Sequence, residues 1–289
     1  MNEIPIIIFH LGNQEYVNIA LKQASKYNNN IIMINDYDDM FNDISGVKCV
    51  SYKKYNTYSD KFIALYKHFS TNSYQIEFLC IIRWMCVYEY MKQHNICRAF
   101  ICDSDVLIYD NISDINNKYL YKYNFMLCSS PSKNLTGGQS IWNFEDLQKF
   151  IIFIFKFYNT QISNIEEWSN TYSECGGICD MTLLYYFAHN KEKFIGLRLP
   201  NYPEFKSDLT QIFNNEFTFD LHLASEGNHS YPNDYEMADT GNKKIKYIDG
   251  KPYCFCKRLN KYIRFILLHF QGRNKVYIKK YYEAGNLIS

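Results

Sequence analysis

The sequence predicts an α/β fold, a mostly parallel central sheet flanked by helices, and three observations carry that prediction. At the N-terminus a β-branched run, a segment of helical period and a second β-branched run follow one another. A long helix, apolar nearly all round, then leads straight into another apolar strand. Finally, 289 residues carry only 6 Pro and 12 Gly and no long polar tract, so a single domain over residues 1–289 is expected. Two intimate lobes are the alternative organisation.

The elements follow in order. "IPIIIFHLG" (Ile4 to Gly12) reads as a strand and turn, Val17, Ala20, Leu21 and Ala24 fall at helical spacing, and "NIIMIND" (Asn30 to Asp36) returns to strand. Glu77 to His94 predicts the long helix and Arg98 to Cys102 the strand after it. Leu147, Phe150, Ile151, Ile154, Phe155 and Tyr158 mark a further buried helix face. In "KKIKYIDGKPYCFC", Asp249-Gly250 stands between two alternating runs, the signature of a hairpin. Asn201 to Asn242 is polar with little periodicity and reads as mobile loops with short elements. No internal repeat is present.

Composition narrows the function classes. "MNEIPIIIF" lacks a basic n-region, and the densest apolar stretch, Phe150 to Phe155, is broken by Lys156, so neither a signal peptide nor a membrane span is expected. The 10 cysteines are scattered without recurring spacing, which predicts free thiols in a reducing cytoplasm. Neither Cys254 with Cys256 nor Cys175 with Cys179 has the second pair a structural zinc needs. A formal net charge of +1 argues against nucleic acid as a partner. That average hides an asymmetry, because Lys243 to Lys280 holds twelve Lys/Arg against one acid, Asp249. Such a segment suggests either a solvated basic face or peripheral contact with an anionic membrane or a phosphorylated ligand.

The motif that points to chemistry is "FICDSDVLIYDN" (Phe100 to Asn111). An open parallel sheet binds ligands at the carboxyl ends of its strands, and Asp103 and Asp105 leave a strand there. Two hard carboxylates suit Mg²⁺ or Mn²⁺ bridging a diphosphate. As turn residues at a strand end they would need no ligand at all. Further along, "LLHFQGRNK" sets His269 after a second apolar strand, with Gly272 and Lys275 three and six residues later. The histidine can complete a metal shell, the glycine lets backbone approach a phosphate, and the lysine can neutralise a leaving diphosphate. A lone histidine in such a place also serves as a satisfied core residue.

These motifs resemble the GT-A glycosyltransferases, in particular families 8 and 32. The likeness runs through "IIIFH", the helix with Arg83, "CDSDVLI", "TGGQSIWNFEDLQKF", "GGICDMTLLYYF", "LRLPNYPEF" and "LHFQGRNK". It implies a GT-A (Rossmann-like) fold with residues 1–105 as the nucleotide-sugar half and 106–289 as the acceptor side. It also implies Asp103, Asp105 and His269 as metal ligands, with Lys275 on phosphate, although "KVY" stands where the family usually has K-P-W. Gly137 and Gly138 of "TGGQS" match the small residues beside the donor sugar. Asp180 falls on the aspartate that contacts sugar hydroxyls, with Met181 and Thr182 replacing the polar residues that follow it in the family. As an alternative, Asp180 simply caps its helix. The loops at His10 and at Asn35-Asp36 match those that clasp base and ribose. Ser104 and Arg83 fall beside the diphosphate, unless Arg83 forms a structural ion pair with Glu77 or Asp103.

The implied activity is metal-dependent transfer of a sugar from a nucleoside-diphosphate donor, UDP-linked, to a saccharide or glycolipid hydroxyl, with retention. An inverting reaction would instead use Asp180, Asp234 or Glu236 as general base. Two other classes stay open: a haloacid-dehalogenase-type phosphohydrolase, which also uses D-x-D after a strand, and a non-catalytic sugar-binding homologue.

Overall fold

Strand β1 (Ile6–Phe9) is β-branched on both faces, and such a run is stable only where both faces are covered. The computed structural model describes residues 3–129, 135–160, 177–189, 208–228 and 230–286 and shows that cover. Among the described residues β1 lies inside a six-stranded sheet with β2 (Ile31–Asn35), β3 (Val47–Ser51), β5 (Arg98–Cys102), β7 (Phe125–Ser129) and β8 (Leu135–Asn143), in the order β3-β2-β1-β5-β8-β7. The pairs β1–β2, β2–β3 and β1–β5 are parallel, while β8 runs antiparallel to both β5 and β7. The expected mostly parallel α/β fold is the fold observed.

Side chains alternate between two cores because the strand period is two. Ile7, Ile32, Ile34 and Val50 face one core with helices α3 (Tyr74–Gln93), α5 (Phe144–Thr160) and α6 (Asp180–His189). Ile6, Ile8, Ile31 and Met33 face the other, with α1 (Glu15–Ser25) and the short α4 (Ile112–Ile115). Helix α3 begins a turn earlier than the expected Glu77 and is apolar nearly all round because neighbours cover most of it. Small α2 (Thr57–Ile63) lies against it, held where Glu89 of α3 accepts from the backbone N–H of Thr57 (2.9 Å) and Tyr58 (3.0 Å). Those donors would otherwise be unpaired at the helix start.

Trp84 of α3 is fully buried against Trp142 of β8, ring centroids 5.7 Å apart. A Cβ on Gly137 would stand 2.2 Å from the Trp84 ring, so the indole occupies the space that glycine leaves. Gly137→Ala is therefore expected to destabilise the fold by about 1–3 kcal/mol, the usual cost of overpacking. Urea unfolding would show it, and an unchanged midpoint would refute the packing role.

The remaining described strands bring the C-terminal part onto the sheet's carboxyl end. Strands β10 (Phe217–Thr218), β11 (Lys246–Ile248), β12 (Lys251–Cys256) and β13 (Lys261–Phe265) form a second sheet, ordered β10-β13-β12-β11. The expected hairpin joins β11 to β12, with Asp249 (φ 50°) and Gly250 (φ 70°) both left-handed, as a two-residue turn requires. Two short pairs complete the topology: β14 (Leu267–His269) antiparallel to β6 (Val106–Ile108), and β4 (Phe69–Ser70) antiparallel to β9 (Gly177–Ile178). Helix α7 (Ile278–Asn286) follows and packs against α1.

The described part of Asn201 to Asn242 has the short elements expected of it, but it packs into the core rather than standing free. Leu209, Phe217, Phe219, Leu221 and Leu223 are buried there. Residues 201–207 lie outside the described residues, as does all of "LRLPNYPEF". Nine cysteines, including Cys254 and Cys256, are free thiols, and Cys175 lies outside the described residues.

Candidate functional site

The two aspartates are delivered by different backbone partners. Past the end of β5, the N–H of Asp103 donates to Gly138 O (2.7 Å), extending the β5–β8 ladder by one residue. Its side chain therefore faces Gly138, where a Cβ would approach Asp103 Oδ2 to 2.6 Å and His269 Cε1 to 3.2 Å. The chain then turns at Ser104, and Asp105 precedes β6. Opposite β6 runs β14, with His269 paired to Val106 and Phe270 N–H donating to Asp105 O (2.9 Å). Residues 164 apart in sequence thus share one corner at the carboxyl end of the parallel strands.

In that corner His269 Nε2 stands 3.3 Å from Asp105 Oδ1 and 3.7 Å from Asp103 Oδ2. The ligand atoms of the three residues all lie within 4.8 Å of one another, and they are the metal-competent group among the described residues. His269 Nδ1 lies 2.8 Å from Leu221 O, which can only accept, so Nδ1 carries the proton and donates. That leaves the lone pair on Nε2. Both His269 Nε2 and Asp105 Oδ1 are buried without a hydrogen-bond partner. Two buried acceptors facing each other are unfavourable unless a cation or a proton stands between them. Two carboxylates and an imidazole suit Mn²⁺ or Mg²⁺, and the orphaned pair shows that these residues fit such an ion.

Charges around the corner respond accordingly. Burial of His269 works against its protonation, but Asp105 and then Asp103 outweigh it and raise the imidazole to about 9 without metal. Burial would raise Asp105, yet His269 and Lys275 together hold its carboxyl below the ordinary range. Lys275 Nζ is 3.0 Å from Asp105 Oδ2 and its side chain remains 37% exposed, so the cation can also reach a ligand. Arg83 binds Asp103 Oδ1 with one amino group and Asp180 Oδ2 with the other, the latter at 2.6 Å. Burial pushes the Asp180 carboxyl up, against the pull of Arg83.

The sequence-predicted residues divide into those that converge and those that do not. Asp103, Asp105, His269, Lys275, Arg83, Asp180 and Gly138 form one continuous set. Ser104 adjoins it, its hydroxyl 2.9 Å from His10 Nδ1, while His10 Nε2 meets Gln14. Asn35 is fully buried and its amide donates to His10 O (2.7 Å) and Gly12 O (2.9 Å), so it shapes the β1–α1 loop from within. Asp36 follows it on a half-buried turn. Gly272 has φ 62°, a left-handed turn that starts the 3₁₀ segment carrying Lys275. Gly137 faces Trp84 rather than the cluster. Asp180 begins α6, its N–H donating to Glu77 Oε1 (3.0 Å). Glu77 also accepts from Ser70 and Asn72, so it partners these groups and not Arg83. Asp234 and Glu236 are in ion pairs with Arg258 and Lys244.

Sequence reading missed three residues at this corner. Tyr16 at the start of α1 lies between His10, rings 5.7 Å apart, and Lys275, whose Nζ is 5.7 Å from the Tyr16 ring. Asp220 is fully buried, receiving His269 N–H (3.0 Å) and Lys243 Nζ (2.8 Å). The signal for Asp220 was the alternation of "FTFDLHL" (Phe217 to Leu223), with a polar residue at its centre. Lys243, the third, corrects the view of the basic segment, because it is 1% exposed and not on a surface. Lys244, Lys251, Lys257, Arg258, Arg264, Lys275 and Lys279 also meet carboxylates, so the segment largely neutralises acids from elsewhere in the chain.

No family model matches the chain. No curated protein matches it either. Among solved structures, mouse xyloside xylosyltransferase 1 in its apo form is similar at 11% identity, covering 67% of this chain and 84% of that one, with a TM-score of 0.46. The glycosyltransferase GlyE of Streptococcus pneumoniae is similar at 12% identity over 72% of this chain and 55% of that one, TM-score 0.39. A galactosyltransferase LgtC in complex with donor and acceptor sugar analogs gives 12% identity over 63% and 69%, TM-score 0.33.

Proposed function

We propose that the protein is a metal-dependent glycosyltransferase that moves a sugar from a nucleoside-diphosphate donor, UDP-linked, to a hydroxyl of a saccharide or glycolipid. The observation that carries this reading is the buried, unpartnered pair His269 Nε2 and Asp105 Oδ1, grouped with Asp103 between two cations. The resemblance of "CDSDVLI" and "LHFQGRNK" to family 8 motifs supports it and supplies the expectation of retention.

Asp103, Asp105 and His269 would hold Mn²⁺ or Mg²⁺, which when bound neutralises charge developing on the leaving diphosphate. Lys275, partly exposed beside Asp105, adds a second positive charge for that group. Arg83 holds Asp103 and Asp180 in place through its two amino groups, and Asp180 would meet the donor-sugar hydroxyls. Gly138 leaves room next to Asp103 and His269. Ser104 and His10 extend the polar wall toward the β1–α1 loop, where base and ribose would lie.

Thermal-shift titration with UDP, GDP and CMP, each with and without Mn²⁺, tests the reading. Stabilisation by UDP that needs Mn²⁺ is expected, about 2.7 kcal/mol at a nucleotide concentration a hundredfold above its Kd. No response to any nucleotide with either Mn²⁺ or Mg²⁺ would overturn it. Release of phosphate from a simple phosphoester without a sugar donor would favour the phosphohydrolase, and binding without turnover a non-catalytic homologue.

Among the described residues no helix is long and apolar enough to cross a membrane. Peripheral contact with an anionic bilayer, bearing a lipid-linked acceptor, would rest on the exposed Lys246, Lys261, Arg273 and Lys280. Lys246→Glu with Lys280→Glu should then weaken binding to phosphatidylserine liposomes by about 2 kcal/mol or more, at about 1 kcal/mol per lysine lost. Equal binding would remove the membrane from the proposal.

A further inference from the structure

His269 is held on three sides by one short segment of chain. Its N–H donates to Asp220 (3.0 Å), its carbonyl accepts from Leu223 N–H (2.8 Å), and its Nδ1–H donates to Leu221 O (2.8 Å). Residues 220–223 have no helix or long strand of their own to fix them. Lys243 does so instead. Its Nζ donates to Asp220 Oδ1 (2.8 Å) and to His222 O (2.6 Å), and its N–H donates to Leu223 O (2.8 Å). Lys243 and Asp220 are 1% and 0% exposed, so this ion pair is buried as completely as any side chains in the fold.

A buried ion pair adds little net stability, since desolvation offsets most of its attraction. Its place in the fold gives another account. We propose that Asp220 and Lys243 are positioning residues for the metal ligand His269. They hold the Leu221 carbonyl against Nδ1, so that the proton stays on Nδ1 and the lone pair of Nε2 faces Asp105 and Asp103. A histidine ligand whose other ring nitrogen is anchored by a carbonyl has its tautomer and ring orientation set before the metal arrives. Lys243 acts at one remove, through Asp220, His222 O and Leu223 O, and meets none of the metal ligands' donor atoms. The inference rests on the transferase reading for its metal, and on the hydrogen-bond geometry alone for the tautomer.

Two measurements on the full chain decide it. The first is Mn²⁺ affinity without nucleotide, read by electron paramagnetic resonance, for the unaltered protein and for the double variant Asp220→Leu with Lys243→Met. This variant replaces the pair by apolar groups of similar size, which a fold tolerates far better than loss of one partner. The expected result is a folded protein, by circular dichroism, that binds Mn²⁺ about 10- to 100-fold more weakly. A folded variant with undiminished affinity would overturn the proposal.

The second measurement uses the unaltered, metal-free protein and therefore does not depend on the variant folding. Because Asp105 and Asp103 keep the metal-free imidazole protonated up to about pH 9, the ¹⁵N resonances are read well above that pH, where the neutral His269 ring should show Nδ1 protonated and Nε2 bare. Equal populations of the two tautomers, or a proton mainly on Nε2, would overturn the positioning role. If the unaltered protein binds neither Mn²⁺ nor Mg²⁺, with or without nucleotide, the transferase reading falls, while the tautomer still decides the role of the pair.

Discussion

Asp105→Asn is expected to abolish Mn²⁺-dependent stabilisation by nucleotide and to lower the rate of sugar transfer by about 10³-fold or more. Asp105 touches both His269 and Lys275, so one change disturbs the ion's ligand set and the cation beside it. A divalent ion on a phosphoryl oxygen contributes several kcal/mol of charge stabilisation, and each 1.36 kcal/mol is a factor of ten. Asparagine keeps the shape of the side chain, so the fold should survive. The checks are thermal-shift titration with UDP and Mn²⁺, and transfer assayed by UDP release in the presence of an acceptor. Full activity in the variant would remove Asp105 from the site.

Arg83→Met is expected to produce the largest loss of stability of any single change at this corner. The guanidinium is the shared partner of Asp103 and Asp180, whose side chains are 30% and 7% exposed. Removing one partner of a buried ion pair costs about 3–5 kcal/mol, because a charge is left without compensation. For a chain of this length that lowers Tm by roughly 5–10 °C. Arg83→Met combined with Asp180→Leu should recover part of the loss, since only the more exposed Asp103 then stays unpaired. Calorimetry of the two variants measures the difference. Equal Tm in Arg83→Met and the unaltered protein would mean that Asp103 and Asp180 are adequately solvated without it.

The sequence by itself determined the mostly parallel sheet and its flanking helices, and it did so through local pattern. β-branched runs such as Ile6 to Phe9 and Ile31 to Asn35 have few other solutions than a strand buried on both faces, and the Asp249-Gly250 turn fixes its hairpin through backbone conformation alone. It also marked Asp103, Asp105, His269 and Lys275 as chemically suitable. What only the tertiary structure decided is which groups meet. Charge counted along the chain made Lys243 a surface cation, whereas the fold buries it on Asp220, because an ion pair depends on distance in space and not on neighbours in sequence. Gly137 and Gly138 look alike in the sequence, yet one borders Trp84 and the other Asp103 and His269, since adjacent strand residues face opposite sides of the sheet. Asp220 sat unnoticed in a segment without helical period, and its role arises only where β14 is held beside it.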